Sequence, residues 1–476
     1  MTPYQRFSDH APAVRRLTEV VIVGLLMALL VGQMLSYPPT DDPDPDGFVS
    51  YAQHLRATGT LMESRRLPGY PAFLAIVSTL GPRPIARNVY WVQLVLMAIF
   101  ALAAWVWVRA WLGPLTAVLF LGILAAPSFF TRMAVVMLPD VLYSLLFVPV
   151  LLLIGWWVLA ARPAGGWLWL PAIAGALFVL QTLRPTTFVL SLLLGPALVA
   201  GLLVRRRVES WPPPLLPGLL KIAALMAVAV LVFVAVDRTL DTGARAYNAS
   251  VPLYRAVIYL PPASNSPADQ RIEAAKRRFQ EIEGQPIDRA RFLTYLTYQF
   301  YDELPLEDVQ QVAVGRLLAH PGLYVLSVLE DLKLGHYLLA RTMVPFFLDL
   351  DRLPLFRVLY PPDDGSERSQ VFRRTGLIVL ESEPYPAMFP LQVEVGYAAA
   401  RLVAVWGLLV LGVWQLARQF PGLTVASVVL AGLFVLMTAA TNTVDARYLL
   451  PFMLPGYLAE AVGMTWIARA LLFETD

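Results

Sequence analysis

Residues Leu17–Leu35 read LTEVVIVGLLMALLVGQML, and residues 36–47 directly after them read SYPPTDDPDPDG. The first stretch is almost wholly apolar and close to the roughly 20 residues a helix needs to cross a hydrocarbon core. The second is an acidic loop punctuated by proline. Pro43 and Pro45 keep its backbone extended and delay the next helix until about Phe48. Arg6, Arg15 and Arg16 precede the apolar run, as they would in a signal peptide. The run is long for that role and lacks a small-x-small site before Ser36, so it reads as an uncleaved first span.

The rest of the chain repeats the pattern. Of 476 residues, 58% are hydrophobic and only 15% charged. The mean hydropathy is +0.61. Soluble domains average roughly 25% charged residues, so this balance belongs to a bilayer. The 12 Trp and 19 Tyr fit, since their amphipathic rings gather at membrane interfaces. A scattered net charge of +3 gives no nucleic-acid surface. With no cysteine there is no disulfide, thiolate nucleophile or zinc ribbon.

Ten candidate spans follow from hydropathy. They are Leu17–Leu35, Val89–Val108, Leu115–Ala126 (short), Val141–Ala160, Leu168–Leu183, Phe188–Val204, Leu219–Val236, Val393–Ala417, Leu423–Ala440 and Tyr448–Leu472. Tyr70–Leu80 is too short to span and reads as re-entrant or interfacial. With the N-terminus inside, Arg109, Arg162, Arg205, Arg206, Arg207 and Arg418 all fall on the cytoplasmic side. The short outer loops then hold single arginines: Arg132, Arg184 and Arg447. This divides the chain into an N-terminal membrane module (1–236, with an acidic outer loop at 36–88), an outer helical segment (237–390) and a C-terminal membrane module (391–476). The fold class is an all-α polytopic membrane protein.

In the outer segment Ser266 reads as an N-cap with Pro267 at the first helical position, opening a charged helix that runs to about Glu283. Helices near Pro286–Phe300 and Leu306–Ala319 are expected next, the latter closed by His320-Pro321-Gly322. Tyr324–Leu339 is apolar but carries Glu330, Asp331 and Lys333, which are costly at mid-bilayer, so it reads as a helix on the membrane surface.

The densest candidate chemistry is Asp41, Asp42, Asp44 and Asp46. Crowded carboxylates raise one another's pKa or recruit a cation, and either outcome suits a general base acting on a hydroxyl; taken alone the cluster is also what a solvated acidic loop looks like. Asp140, Arg184 and Arg447 fall on the same membrane face. Arginine grips phosphate in a bidentate manner, though each of these could equally anchor a helix end. Lys333 is a further cationic candidate. His10, His54, His320 and His336 show no metal-ligand spacing, and His54 is kept only for its nearness to the acids. Asn248-Ala249-Ser250 matches a glycosylation acceptor, a triplet common by chance. There is no phosphate-binding glycine loop, which disfavours direct nucleotide use.

In order along the chain, Phe48-Val49-Ser50-Tyr51-Ala52-Gln53-His54-Leu55, Arg66-Leu67-Pro68-Gly69-Tyr70-Pro71, Leu138-Pro139-Asp140, Leu183-Arg184-Pro185-Thr186 and Asp445-Ala446-Arg447-Tyr448-Leu449-Leu450-Pro451 resemble the landmarks of polytopic GT-C glycosyltransferases. Relatives in that group include protein O-mannosyltransferases, the lipid A aminoarabinose transferase and rhizobial galacturonosyltransferases. The resemblance implies a GT-C-like bundle with interfacial helices. It implies transfer of a hexosyl or pentosyl group from a polyprenyl-phosphate donor to a hydroxyl of a glycan, lipid or protein, with inversion. Asp44 matches the family's catalytic acid, and Asp46 competes for the role because Asp-Pro-Asp replaces the usual Asp-Glu or Asp-Ser. Arg184, Arg447 and Lys333 are implied as donor-phosphate ligands. Asp140, Tyr70, Arg66 and Tyr448 are implied as substrate or metal contacts, and His54 joins them only as the reserve candidate beside the acids. Family members differ on metal use, so a divalent Mg or Mn on Asp44, Asp46 and Asp140 stays open. The implied setting is a bacterial inner membrane, with the site facing the periplasm. Two rivals remain: an O-antigen-ligase-like transferase, which would use Arg and His of a large outer loop, and a transporter or lipid flippase, for which matching halves would be expected.

Overall fold

The computed structural model describes residues 12–36, 45–62, 66–81, 84–126, 129–134, 136–159, 166–208, 215–240, 256–257, 260–283, 306–329, 332, 391–441 and 446–473. Among these there is no strand. The helices are α1 (Pro12–Ser36), α2 (Pro45–Thr58), α3 (Gly69–Val77), α4 (Ile85–Leu112), α5 (Pro114–Ala125), α6 (Phe129–Met133), α7 (Pro139–Leu159) and α8 (Trp169–Leu183). They continue with α9 (Thr186–Val208), α10 (Leu215–Thr239), α11 (Pro267–Glu283) and α12 (Leu306–Ala319). A short helix α13 (Pro321–Leu329) precedes α14 (Leu391–Gln419), α15 (Pro421–Thr441) and α16 (Ala446–Phe473).

Seven of these regions are long and apolar enough to cross a membrane: those of α1, α4, α7, α8, α9, α10 and α15. The chain is a polytopic membrane protein. Of the other expected spans, α14 and α16 have the length, at 29 and 28 residues. The third does not. Helix α5 has 12 residues, about 18 Å of rise, because Gly113-Pro114 starts it and its helix ends before Pro127.

Small residues and end-to-end polar contacts fix how the helices pair. A Cβ on Gly201 of α9 would lie 2.4 Å from the Gly422 carbonyl oxygen of α15. One on Gly463 of α16 would lie 2.5 Å from the Leu408 carbonyl oxygen of α14. Only glycine lets the backbones approach this closely, the usual basis of helix packing in lipid. Pro149, Pro196, Pro451 and Pro455 sit inside helices, as neighbouring spans permit.

These contacts also sort the helix ends into two faces. On one face Arg109, at the end of α4, clasps Glu19 of α1 through two hydrogen bonds of 2.5 and 3.0 Å. Lys221 of α10 donates to the Trp157 carbonyl at the end of α7 (2.7 Å), and Thr116 of α5 meets Thr465 of α16 at 3.0 Å. On the other face the Tyr90 hydroxyl of α4 donates to the Met34 carbonyl at the end of α1 (3.0 Å). Arg205, Arg206, Arg207 and Arg418 lie in last turns that end on the first face, as the arginine bias of the sequence predicts.

Outside the bundle, α11 and α12 enclose a second, smaller core with Ala256, Val257 and Leu260. Helix α11 begins as the sequence predicts: the Asp269 amide donates to the Ser266 hydroxyl (3.2 Å), a cap for the first turn. Arg316 of α12 is fully buried. Its guanidinium donates to the Asp269 carboxylate, to Glu273 (2.8 Å) and to the Val257 and Leu260 carbonyls (2.7 and 2.8 Å). The expected helix near Pro286–Phe300 lies outside the described residues.

Candidate active site

Helix α2 starts where the acidic loop ends, with Pro45 at its first position and Asp46 in its first turn. A carboxylate there is favoured by the unsatisfied amides and the dipole of the helix N-terminus. Two residues on, Phe48 is buried edge-on against Tyr70 of α3, with ring centroids 5.2 Å apart. The Arg66 guanidinium lies over the Phe48 ring, 4.6 Å from its centroid, and its Nε is 3.7 Å from where a Cβ on Gly47 would be. Arg66 is therefore held at the mouth of the acidic loop by cation–π stacking.

The next contact carries this assembly to the centre of the bundle. A Cβ on Gly69 would fall 2.5 Å from the Thr182 hydroxyl and 2.7 Å from the Thr182 carbonyl. Glycine thus lets the first turn of α3 lie directly on the last turn of α8. The following residue, Tyr70, is fully buried and stacked on Phe73 at 5.7 Å. In the amide orientation that satisfies its surroundings, Gln93 donates its nitrogen to the Ala134 and Val136 carbonyls, 3.3 Å each.

At the centre Asp140, 3% exposed, forms an ion pair with Arg184, whose side chain is 13% exposed. Each charge sits at the helix end that suits it. Asp140 lies in the first turn of α7, and Arg184 caps the C-terminus of α8 in an extended conformation (φ −145°, ψ 130°) imposed by Pro185. Tyr143, one turn beyond Asp140, is buried with its ring 5.9 Å from the Arg184 guanidinium, and its hydroxyl accepts from Thr187 at 3.4 Å. The Thr187 hydroxyl in turn reaches the Arg184 carbonyl (2.8 Å). The buried pair is thus braced by hydrogen bonds and an aromatic wall rather than isolated in apolar surroundings.

The structure thus brings Arg66, Tyr70, Asp140 and Arg184 of the expected site to one face of the bundle. His54 goes elsewhere: it is half-buried along α2, with its Nε2 3.4 Å from the Thr60 hydroxyl. Asp44 and Lys333 lie outside the described residues. For Asp46, Arg447 and Tyr448 only the helical backbone is described, in the first turns of α2 and α16. The backbone of Arg447 can still be placed in depth. Phe452 of α16 meets Phe147 of α7 with centroids 6.5 Å apart. Both helices run inward from the site's face, so Arg447 lies about 8 Å above that contact and Asp140 about 10 Å above it.

Sequence reading missed Gln93, Tyr143 and Thr187. The one signal of Gln93 and Tyr143 was a polar group inside an apolar run, which in a membrane protein marks an interior or functional position, whereas Thr187 follows Arg184-Pro185-Thr186 at the start of such a run. For a metal, the donor set argues against Asp140: its carboxylate is already matched by the Arg184 cation. Among the described residues no three His, Asp or Glu side chains converge as ligands.

No protein-family model matches the chain, and no curated protein matches it in sequence. Solved structures of an oligosaccharyltransferase from the archaeon Archaeoglobus fulgidus are similar to it. The AglB structure described as a complex with an inhibitory peptide and a dolichol-phosphate shares 10% identity at a TM-score of 0.49, covering 96% of this chain and 51% of that one. An apo form shares 12% identity at a TM-score of 0.49, covering 95% and 51%. A complex with Zn and sulfate shares 10% at 0.46, covering 95% and 50%. The chain spans about half the length of these proteins.

Proposed function

We propose that this chain is a membrane glycosyltransferase that moves a sugar from a polyprenyl-phosphate donor to an acceptor hydroxyl. The observation that carries the reading is the buried Asp140–Arg184 pair, set at the ends of spans on the face that also holds Arg66 and Phe48 of α2. A lipid-borne phosphate needs a cation at the bilayer edge, and a deprotonating acid must stand across the sugar from it.

In this mechanism the polyprenyl tail stays in lipid and the sugar phosphate enters beside α3, α7 and α8. Asp44 or Asp46 takes the proton of the acceptor hydroxyl as its oxygen bonds to the anomeric carbon. The bond from that carbon to the phosphate oxygen breaks, and the electron pair leaves on polyprenyl phosphate. Arg184, with Arg447 and Lys333, stabilises the departing charge, so no strong general acid is required. A single displacement inverts the anomeric configuration. Tyr70, Arg66 and Tyr448 shape the donor pocket. The setting that fits the arginine bias is a bacterial inner membrane with the site on the periplasmic face.

The test supplies purified protein and a crude acceptor fraction with one radiolabelled sugar on two donors, a polyprenyl monophosphate and the matching nucleotide. Transfer from the polyprenyl donor alone is expected. Transfer from the nucleotide sugar alone overturns the mechanism. Transfer only from a pyrophosphate-linked glycan identifies a ligase-like enzyme, and movement of the carrier without transfer identifies a flippase.

A further inference from the structure

Helices α12 and α13 meet at 94° across His320. Their surface changes character along the axis rather than around it. Near the start of α12 the exposed residues Gln310 and Gln311 are polar. From Val314 to Leu329 every exposed residue is apolar, including Leu318 at 78%, Val325 at 55%, Leu326 at 57% and Leu329 at 54%. The single charged residue in that stretch, Arg316, is turned inward and fully paired with Asp269 and Glu273. Helix α11 in the same unit is the opposite, exposing Gln270, Arg271, Arg277 and Arg278. A water-facing helix would not grade from polar to apolar in this way, whereas one descending into an interface would.

The position of the elbow names what covers it. The Tyr324 hydroxyl of α13 donates to the Ala440 carbonyl in the last turn of α15. The 21 residues of α15 rise about 31 Å, close to the thickness of a hydrocarbon core, so its last turn lies at the acyl–headgroup boundary. That end belongs to the site's face: α15 begins against Gly201 and Arg205 at the far end of α9, whose own start adjoins Arg184. The apolar elbow therefore continues the lipid-facing surface of the bundle, which includes Leu436, 48% exposed.

We propose that the elbow, the second half of α12 with α13, is a wedge inserted into the leaflet on the site's side, and that it seats the α11–α12 unit on the bilayer. The occupant of this surface is lipid. The inference is independent of the reaction proposed above.

The chain has no cysteine, so single thiols report cleanly. Leu318→Cys, Leu326→Cys and, on exposed α11, Ala274→Cys are each carried by the full chain, nitroxide-labelled and reconstituted in phosphatidylethanolamine–phosphatidylglycerol vesicles. Power saturation then compares collision with oxygen, which concentrates in lipid, and with a water-soluble nickel chelate. At 318 and 326 oxygen is expected to exceed nickel several-fold, with the order reversed at 274. Nickel exceeding oxygen at 318 and 326 overturns the wedge. So does low collision with both agents, which marks a surface covered by protein; spin–spin broadening would then identify a second copy.

Discussion

Asp140→Asn removes the carboxylate that neutralises Arg184 and leaves a guanidinium only 13% exposed at the end of α8. Breaking a buried pair from one side costs about 3–5 kcal/mol, because the surviving charge has lost its partner rather than its burial. Arg184 keeps some exposure at the membrane edge, so the lower end, about 3 kcal/mol, is expected for Asp140→Asn. Arg184→Gln strands the more deeply buried Asp140 and belongs nearer the upper end. The double variant removes both charges and leaves two amide-bearing side chains that can hydrogen-bond. Its cost should approach that of one ordinary hydrogen bond, about 1 kcal/mol. The single effects sum to about 8 kcal/mol against about 1 for the double variant, so they should fail to add by several kcal/mol. Unfolding in mixed micelles, followed by tryptophan fluorescence, gives all four corners of the cycle. Additive losses would refute the coupling, and with it the picture of Arg184 as a cation held in place by Asp140.

Asp44→Asn or Asp46→Asn should lower transfer by about 10²–10⁴-fold, the usual worth of a general base, with unchanged melting; full activity in both variants returns the cluster to a solvated loop. Gly69→Ala puts a methyl group 2.5 Å from the Thr182 hydroxyl and against its backbone carbonyl, so α3 must shift; a loss of about 1–3 kcal/mol and weaker donor use are expected, and a neutral Gly69→Ala would show that α3 does not bear on α8. Burial alone would raise the Asp269 carboxyl, but hydrogen bonds from Arg316 and Ser264 outweigh it and hold the group below the ordinary carboxylate range. A lowered carboxylate contributes stability that is complete above its unfolded value of about 4 and lost as pH falls through the folded one. Limited proteolysis within residues 256–319 should accelerate below about pH 4 in the wild type, and an Asp269→Asn variant should be cut readily at neutral pH.

The spans were readable because the bilayer imposes one simple requirement, about 20 apolar residues, and Arg16–Leu35, Thr186–Val208 and Leu215–Thr239 meet it with little competition. The start of α11 was readable for a different reason: Ser266, Pro267 and Asp269 are local signals that act within one helical turn. What local signals could not reveal is the second role of Asp269, which pairs with Arg316, 47 positions later. Arg316 looks in sequence like a surface charge on a half-polar helix, and only the packing of α12 on α11 turns it inward. The shortness of α5 was visible in its bounds, whereas the 94° bend at His320 depends on where α13 docks.

The site divides along the same line. Asp140 and Arg184 stood out as charges beside apolar runs, but their pairing depends on two helix ends 44 residues apart meeting, which no spacing rule encodes. That pairing also changes what Arg184 can contribute. As an unattached cation it would have to be ordered by the donor phosphate, at an entropic cost of up to about 2 kcal/mol for a long side chain. Fixed between Asp140, the Tyr143 ring and the α8 terminus, it has already met that cost in folding, and its planar fork presents one orientation. Lysine at this position would keep the charge and lose the orientation. On the proposed mechanism Arg184→Lys should therefore bind the donor nearly as well as the wild type yet turn it over more slowly. A pure rise in KM with kcat unchanged would instead assign Arg184 to donor binding alone.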